Sequence, residues 1–346
     1  MRRLAATLLA MLTLAGPVSA QSAGPEAQVR FGAASAPAMV LRSTTDIAIL
    51  GPTISDFTAR NPGIAVEYEQ WGSNALYDIS RKECASGASG ADAALSSAVH
   101  QLVDLVNAGC AAPYRSALST ALPAARRWRD EIWGVTQEPA VIIYNTRLVP
   151  AADVPRGRFA LLDLLRRADQ RYAGKIATYD IETSGLGYLF AFEDSLEAST
   201  FGSLMEGLSR AHAVATCCSA EIIRGVSDGT YLIAYNVLGS YVEAPRDPDV
   251  GVIWPQDYTL VLSRGYMIPK AANWPAAAQR LLDFLLSAPG QRDLTAAGLI
   301  SDHGPEDKAT PDSSLRPIAI SPVLLVALDL QKRAQFIQRW RSALGN

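Results

Sequence analysis

Short apolar strands alternate with helical patterns in the first third of the chain, and this alternation constrains the fold more than any other feature. Strands are indicated over residues 38–43, 64–68 and 91–95, and a helical spacing of apolar residues follows each of them. Strands that alternate with helices at this spacing form βαβ units, whose strands pair in parallel. The sequence therefore predicts an α/β fold with mixed, mostly parallel sheets.

A second alternating stretch follows, and residues 228–270 within it predict the wall of a cleft and a crossing between lobes. An apolar strand over residues 231–235 ends at Asn236 and a small polar turn, and strands over residues 250–254 and 259–268 come next. This order is typical of a chain that passes along a cleft and then returns to another lobe.

The expected lobe boundaries depend on two crossings. Residues 133–139 lead into a near-continuous apolar segment that is bounded by Pro139 and Asn145 and indicates a buried strand entering a second lobe, and the return crossing ends near Ile268. We therefore expect lobe one to comprise residues 38–138 and 269–346, and lobe two to comprise residues 139–268.

The N-terminus has the three parts of a secretory signal peptide. Arg2 and Arg3 supply positive charge, residues 4–15 are apolar, and small residues precede a cleavage site near Ala20. The apolar run is too short for a helix that spans a membrane. We therefore expect residues 1–20 to be removed on export to the periplasm.

The residues that follow the cleavage site predict a flexible leader over residues 21–37, because they are rich in Ala, Ser, Gly and Pro. Removal of the signal peptide changes the formal net charge from -3 to -5, since it takes away Arg2 and Arg3. A mildly acidic protein of this kind is not expected to bind nucleic acid, which selects a basic surface.

Common catalytic motifs are missing from the sequence. It contains no G-x-S-x-G elbow, no H-E-x-x-H pattern and only 3 histidines. We therefore expect a binding protein and not an enzyme, with an exported hydrolase as the less favoured alternative.

The 4 cysteines are expected to meet an oxidising compartment, where disulfides form. Cys84 and Cys110 flank a predicted strand and helix, so a disulfide between them is the first expectation. The neighbours Cys217 and Cys218 are expected to pair with each other only under strain. A zinc site needs four well-spaced Cys or His ligands, so the sequence predicts no bound metal and no cofactor.

Serine and threonine residues end two of the predicted strands of lobe one. In open α/β sheets, ligands bind outside the carboxyl ends of the strands, and a helix N-terminus at that place favours an anion. For the first of these two clusters, the alternative role is only to cap the following helix. The predicted ligand contacts in lobe one are Ser43, Thr44, Thr45, Ser96 and Ser97.

Lobe two and its first crossing supply the other candidate residues. Small residues at the turn over residues 184–187 would let backbone amides approach an anion, and the alternative is a plain turn with Ser184 as N-cap. Glu138 is either a ligand contact or a carboxylate at an exposed strand end. The predicted contacts are Glu138, Ser184, Gly185, Gly187, Asn236, Ser240 and Tyr241.

Several segments of the sequence resemble extracytoplasmic solute-binding proteins of ATP-driven (ABC) importers. Phe57–Ile64 resembles a phrase that recurs near their start, Trp133–Asn145 looks like their inter-lobe segment, and Pro275–Leu299 is similar to one of their helix pairs. The resemblance implies a two-lobe periplasmic-binding-protein fold of type II, with a hinge and an inter-lobe cleft. It also implies a monomer that passes a small ligand to a membrane permease or, in a regulatory branch, reports it to a sensor kinase.

Within this family the chain is similar to the ferric-iron binders, the hexose-phosphate binders and the phosphoglycerate transport regulatory protein. The ferric-iron branch has two adjacent tyrosines where this chain has Ser240 and Tyr241, so Tyr241 would be a metal ligand only if the solute were iron. Hard ferric iron needs several anionic oxygen ligands. The departure from the pattern therefore favours a phosphorylated or carboxylated organic anion, with ferric iron as the alternative.

Overall fold

Two mixed β-sheets with helices packed on them form the part of the chain that the computed structural model describes, residues 24–167, 170–243, 247–301 and 315–344. The signal peptide predicted over residues 1–20 lies outside the described residues. We call the first sheet with its helices lobe one and the second sheet with its helices lobe two. None of the helices in the described ranges is long and apolar enough to cross a membrane.

The sheet of lobe one has seven strands. They are β1 (Ala27–Phe31), β2 (Ala38–Ser43), β3 (Ala65–Gln70), β4 (Ala93–Ser96), β5 (Arg127–Trp128), β6 (Ile132–Gly134) and β13 (Gly265–Met267). Their order across the sheet is β1-β3-β2-β4-β13-β6-β5, with β2 parallel to both β3 and β4.

The sheet of lobe two also has seven strands. They are β7 (Glu138–Asn145), β8 (Ile176–Tyr179), β9 (Val214–Thr216), β10 (Ile233–Leu238), β11 (Val250–Ile253), β12 (Thr259–Leu262) and β14 (Leu315–Pro317). Their order is β14-β12-β7-β10-β8-β9. The strand β11 pairs with residues 142–145 of β7, whereas β12 pairs with residues 138–139 at the start of β7.

Helices connect most of these strands. They are α1 (Ile47–Arg60), α2 (Ser73–Ser86), α3 (Val99–Asn107), α4 (Ala117–Ala121), α5 (Arg158–Arg166), α6 (Gly185–Glu197), α7 (Phe201–Arg210), α8 (Ser219–Ser227), α9 (Ser240–Glu243), α10 (Pro275–Leu286), α11 (Ala288–Ala296) and α12 (Leu330–Leu344). Short 3-10 turns are Ala124–Arg126, Ala151–Asp153, Gln170–Tyr172 and Pro322–Leu328. Pro52 lies inside α1 without ending it, although the sequence indicates a kink or restart there.

Two segments that cross between the lobes lie side by side and form the described part of the hinge. The first joins β6 to β7 through Thr136, and the second joins β12 to β13 through Ser263 and Arg264. The Ser263 hydroxyl donates to the Thr136 carbonyl at 2.6 Å, and the Arg264 amide donates to the Thr136 hydroxyl at 2.8 Å. These hydrogen bonds hold the two crossings in register.

An apolar cluster joins the lobes beside the hinge. It combines Leu102 and Leu105 of α3 with Leu189 and Phe190 of α6 and with Leu238 of β10, all of them buried. The two lobes are therefore packed against each other in this structure.

The predicted flexible leader is wrong for residues 27–31, which form β1. This strand pairs antiparallel with β3, and Phe31 packs edge-on against the ring of Tyr68. The sequence pattern does not predict this strand because it lies at the edge of the sheet and most of its side chains are exposed. Such a strand needs few apolar residues.

The sheets are mixed as predicted, but they are not mostly parallel. Of the twelve named strand pairings in the described ranges, five are parallel and seven are antiparallel. The antiparallel pairings arise largely where a strand enters a sheet from a crossing, as β7 and β13 do, and therefore runs against its neighbours.

The strand predicted over residues 259–268 is two strands in two different sheets, β12 and β13, so residues 265–267 join lobe one and not lobe two. After α11 the chain crosses again, because β14 pairs with β12 and Trp340 is buried in the core of lobe two. The strand β14 and the helix α12 therefore pack with lobe two, although the sequence assigns them to lobe one. The segment between them contacts lobe one, because the Ile320 amide donates to the Ala125 carbonyl at 2.8 Å and the turn Pro322–Leu328 packs against α3.

The predicted disulfide between Cys84 and Cys110 is present, with a Cα–Cα distance of 5.5 Å. It links the last turn of α2 to the chain just beyond α3. It therefore ties together two helices of lobe one that both begin at the inter-lobe surface.

Candidate ligand-binding site

A cavity of about 90 Å³ lies between the lobes, at the carboxyl ends of strands from both sheets. Lobe one contributes Thr44, Asp46, Gln70, Trp71, Ser73 and Ser97. Lobe two contributes Tyr179, Ser184, Leu186, Cys217, Cys218, Ser219, Leu238 and Tyr241. Arg264 of the return crossing and Glu26 also line it.

Five helices of the described chain begin at this cavity: α1, α2 and α3 from lobe one, and α6 and α8 from lobe two. The N-cap residues of α1, α2, α3 and α8 form no side-chain hydrogen bond with the first turn of their helix. Each helix directs the positive end of its dipole to the cavity, although the first amide of α1 donates to Gln70 Oε1 at 3.0 Å and the first-turn amides of Gly185 and Gly187 in α6 are also paired within the protein. The convergence of these helix N-termini makes the cavity a place where negative charge is stabilised.

The hydroxyl residues that follow β2 and β4 contact each other at the cavity. The Thr44 hydroxyl accepts a hydrogen bond from the Ser97 amide at 2.9 Å, and the two hydroxyl oxygens are 3.2 Å apart. Both side chains line the cavity. Parallel neighbouring strands end at the same edge of a sheet, which is why residues 53 positions apart come together.

Three other predicted contacts of lobe one lie behind this cavity wall. The Ser43 hydroxyl accepts from the Thr45 amide at 3.0 Å, and the Ser96 hydroxyl accepts from the Ala98 amide at 3.1 Å. The Thr45 hydroxyl accepts from Arg264 Nη1 at 2.9 Å. These side chains fix the turns between strand and helix, and none of the three lines the cavity.

Glu138 is fully buried and engaged by other side chains of the protein, so the structure gives it a structural role in place of the predicted ligand contact. Its carboxylate receives hydrogen bonds from Arg264 at 2.8 and 3.0 Å and from the hydroxyls of Thr136 and Ser240, both at 2.6 Å. A buried carboxylate is tolerated only when it is paired in this way. The hydroxyl of Ser240, another predicted ligand contact, is likewise engaged by its hydrogen bond to Glu138.

Arg264 and Glu138 form a buried ion pair at the hinge. Burial by itself would lower the pKa of the Arg264 guanidinium, but the Glu138 carboxylate raises this pKa above its usual value. The guanidinium also lies 5.7 Å from the centre of the Tyr241 ring. Because Glu138 neutralises it, Arg264 adds little net positive charge to the cavity.

Asp46 and Tyr241 meet across the cleft. The Asp46 amide donates to the Tyr241 hydroxyl at 3.3 Å, and that hydroxyl lies 3.5 Å from Asp46 Oδ1, which also accepts from Gln70 Nε2 at 3.1 Å. Burial raises the pKa of the Asp46 carboxyl, although Arg264 pulls it the other way. Burial also raises the pKa of the Tyr241 phenol far above its ordinary value, so it remains protonated.

The turn over residues 184–187 has its amides paired within the protein. The Ser184 hydroxyl accepts from the Gly187 amide at 3.0 Å and caps α6, as the alternative interpretation of the sequence holds. The Gly185 amide donates to the Ser73 hydroxyl of the other lobe at 2.9 Å. A Cβ at Gly187 would lie 2.3 Å from the Tyr179 Cβ, so Gly187 is required for packing.

Asn236 lies outside the cavity, in contrast to its predicted role as a ligand contact. It has a φ of 64° and occupies the irregularity between Ala234 and Val237 in the pairing of β10 with β7. A left-handed backbone is tolerated by Asn better than by most residues. The residue therefore shapes a bulge, and the strand continues to Leu238 where the sequence predicted a turn.

Several lining residues were not among the sequence candidates, although a known rule points to them. Cys217, Cys218 and Ser219 follow the end of β9, and Gln70 and Trp71 stand at the end of β3. The rule that ligands bind at the carboxyl ends of strands applies to these ends as well. Asp46 directly follows the predicted Ser-Thr-Thr cluster but is not among the predicted ligand contacts.

Cys217 and Cys218 form a disulfide between adjacent residues, with a Cα–Cα distance of 3.7 Å, at the start of α8. Together with Glu221 they are the one cluster of His, Cys, Asp and Glu ligand atoms within 4.8 Å of one another in the described ranges. Metal coordination by cysteine requires thiolates, and both sulfurs are bonded to each other. The disulfide is thus an apolar part of the cavity wall.

Comparisons with known proteins agree with this architecture. A family model of bacterial extracellular solute-binding proteins matches residues 53–301. The substrate-binding protein of an ABC transporter from Agrobacterium tumefaciens is 35% identical, with a TM-score of 0.85, and the alignment covers 93% of this chain and 100% of that one. No curated protein sequence matches the chain.

More distant solved structures share the fold alone. AfuA from Actinobacillus pleuropneumoniae, with fructose-6-phosphate bound, is 16% identical with a TM-score of 0.67, over 89% of this chain and 98% of that one. Iron-bound HitA from Pseudomonas aeruginosa is 19% identical with a TM-score of 0.65, over 87% of this chain and 98% of that one. The predicted two-lobe fold is confirmed.

Proposed function

We propose that this chain, which belongs to the bacterial extracellular solute-binding proteins and serves as the substrate-binding component of an ABC transporter, binds a small anion as its solute. The solute carries a phosphoryl or carboxyl group, and the protein closes on it in the periplasm and delivers it to a membrane permease. The protein is a binder without catalytic activity.

The observation that supports this proposal most strongly is the convergence of five helix N-termini on the cavity. Each N-terminus carries about half a positive charge. The hydroxyls of Thr44, Ser97 and Ser219 lie among these N-termini and add neutral donors. Such a set of donors suits the oxygens of a phosphate or carboxylate group.

Ferric iron is the second candidate, because iron-bound HitA has the same fold. Iron needs several anionic oxygen ligands, and this chain has Ser240 beside Tyr241 where the ferric-iron branch has a second tyrosine. A sensor that reports the same anion to a kinase would use the same cavity with a different partner.

The proposal is tested by isothermal titration calorimetry and thermal shift on the mature chain with inorganic phosphate, sulfate, short carboxylates and ferric citrate. We expect one or more of the anions to bind and to raise the melting temperature as mass action requires. Stabilisation by ferric salts alone would overturn the proposal.

A matched pair of variants tests the sign of the charge in the cavity. Ser97→Asp adds a negative charge to the cavity wall, whereas Ser97→Asn adds a neutral side chain of similar size. We expect Ser97→Asp to weaken anion binding by about tenfold or more, because like charges repel strongly in a partly buried site. Equal affinities of the two variants would contradict a site for anions.

A further inference from the structure

We propose that the solute is a zwitterion, with an ammonium group that pairs with Asp46 and an acidic group that the helix N-termini bind. The inference rests on the function proposed above and specifies the class of solute for the same cavity. It is carried by the position, the partners and the charge of Asp46.

Asp46 occupies the N-cap position of α1 but does not cap the helix. No side-chain hydrogen bond joins its carboxylate to the first turn of α1. The carboxylate lines the cavity instead, where its neighbours are the Gln70 amide at 3.1 Å and the Tyr241 hydroxyl at 3.5 Å. Both neighbours are neutral, so the carboxylate has no directly bonded cation in the described structure.

The nearby guanidinium of Arg264 does not neutralise the Asp46 carboxylate. Arg264 directs its guanidinium to Glu138 and to the Thr45 hydroxyl, and no hydrogen bond joins it to Asp46 in the described residues. Burial accordingly raises the pKa of the Asp46 carboxyl in spite of the attraction from Arg264. Glu26 adds a second carboxylate to the cavity lining.

The cavity thus combines two opposite kinds of recognition. Helix N-termini favour a negative group, whereas the carboxylates of Asp46 and Glu26 repel it and favour a positive one. A simple anion satisfies only the first of these. A solute with an acidic group at one end and an ammonium group at the other satisfies both.

The size of the cavity restricts the distance between the two groups. A volume of about 90 Å³ has room for a compact solute in which a few carbon atoms separate the charges. Suitable probes are therefore pairs of small molecules that differ only in the ammonium group. Phosphoethanolamine and ethyl phosphate form one such pair, and β-alanine and propionate form another.

The test measures the affinities of both pairs by calorimetry, for the wild-type chain and for Asp46→Asn. Asn keeps the oxygen that accepts from Gln70 but removes the charge. Asp163→Asn, at an exposed position of α5, is the matched control for the same chemical change. We expect the wild type and the control to bind the ammonium-bearing member of at least one pair about tenfold or more tightly than its partner.

For Asp46→Asn we expect this preference to disappear and the affinity for the ammonium-free anion to rise above that of the wild type. Equal affinities within both pairs for the wild type would overturn the inference without any variant. A preference that survives in Asp46→Asn would overturn the role of Asp46.

The results that would disprove the zwitterion differ from those that would disprove the proposed function. If phosphate, sulfate and all four probes leave the wild type unbound, the anion site itself is disproved. If ethanolamine alone binds as tightly as phosphoethanolamine, the acidic group is not recognised and the anion site is again disproved. If anions bind but an ammonium group adds nothing, only the zwitterion is disproved.

Discussion

His100 lies in the contact between the lobes, where its imidazole packs against the ring of Tyr188 at a centroid distance of 5.8 Å. The side chain is 1% exposed, and its Nδ1 has no hydrogen-bond partner in the described structure. Burial, aided by the positive charge of Arg333, lowers the pKa of the imidazole to about 3. A protonated imidazole is therefore excluded from the closed structure at ordinary pH.

The sign of the resulting pH dependence follows from proton binding. Because the pKa in the folded state is below the ordinary value of 6.5, the unfolded chain binds more protons between these two pH values. Stability from His100 is thus fully present above about pH 6.5 and is lost as the pH falls towards 3. Between pH 7 and pH 5 the loss is about 2 kcal/mol.

We therefore expect His100→Gln, which stays neutral, to lose less free energy of unfolding between pH 7 and pH 5 than the wild type does. Urea unfolding at a series of pH values measures this difference. His212→Asn is the control, because His212 is exposed and has a φ of 48° that Asn tolerates. Parallel pH profiles for the wild type and His100→Gln would contradict the expected role.

At the scale of elements, the N-terminal turns of α2 and α6 hold the lobes together. The Asn74 side chain donates to the carbonyls of Glu182 at 2.9 Å and Thr183 at 3.1 Å, and the Gly185 amide donates to Ser73. A Cβ at Gly185 would lie 2.8 Å from Gln101 Nε2 and 3.0 Å from both the Ala98 Cβ and the Ser73 Oγ, all in lobe one. This position therefore controls how closely the lobes approach each other.

We expect Gly185→Ala to act as a wedge that disfavours closure. The affinity for the solute should fall by about tenfold, since overpacking at a closed interface costs about 1–3 kcal/mol. Calorimetry measures the affinity, and small-angle scattering shows whether the variant stays more open with ligand present.

Gly202→Ala on α7 is the control for this substitution. A Cβ there meets nothing within 4 Å, and Ala is a better helix former than Gly. Gly202→Ala should thus bind as the wild type does. A Gly185→Ala variant with wild-type affinity would contradict a role of this turn in closure.

At the scale of the whole molecule, the C-terminal segment completes lobe two. Trp340 of α12 is 6% exposed, and Phe336 of the same helix packs against the rings of Phe192 and Phe201. The Tyr188 hydroxyl donates to the Ala327 carbonyl at 2.7 Å. The end of the chain is therefore part of a core that is built mainly from residues more than a hundred positions earlier.

We expect Trp340→Ala to lower the free energy of unfolding by about 3–5 kcal/mol, because it removes a large buried side chain. Arg339→Ala, at the exposed neighbouring position, should change the free energy of unfolding by only about 0.5 kcal/mol or less. Denaturant unfolding followed by circular dichroism measures both. Equal effects would mean that α12 is only a solvated surface helix.

Residue types and spacings that are close together along the chain predict the local structure and the class of fold. Strands such as Ala38–Ser43 and the helices that follow them depend on residues close in sequence, so their apolar periodicity and end signals predict them. The rule for strand ends likewise predicts Thr44 and Ser97 as ligand contacts, and both side chains line the cavity.

Which of the candidate residues line the cavity depends on long-range contacts of the folded chain. Glu138 and Ser240 look like ligand contacts in sequence, but Arg264 lies 126 and 24 positions away from them and is brought to Glu138 by the return crossing. Asp46, which is not among the predicted ligand contacts, lines the cavity where Tyr241, 195 positions later, lies against it. Burial and charge pairing depend on such long-range contacts, and a sequence pattern carries no record of them.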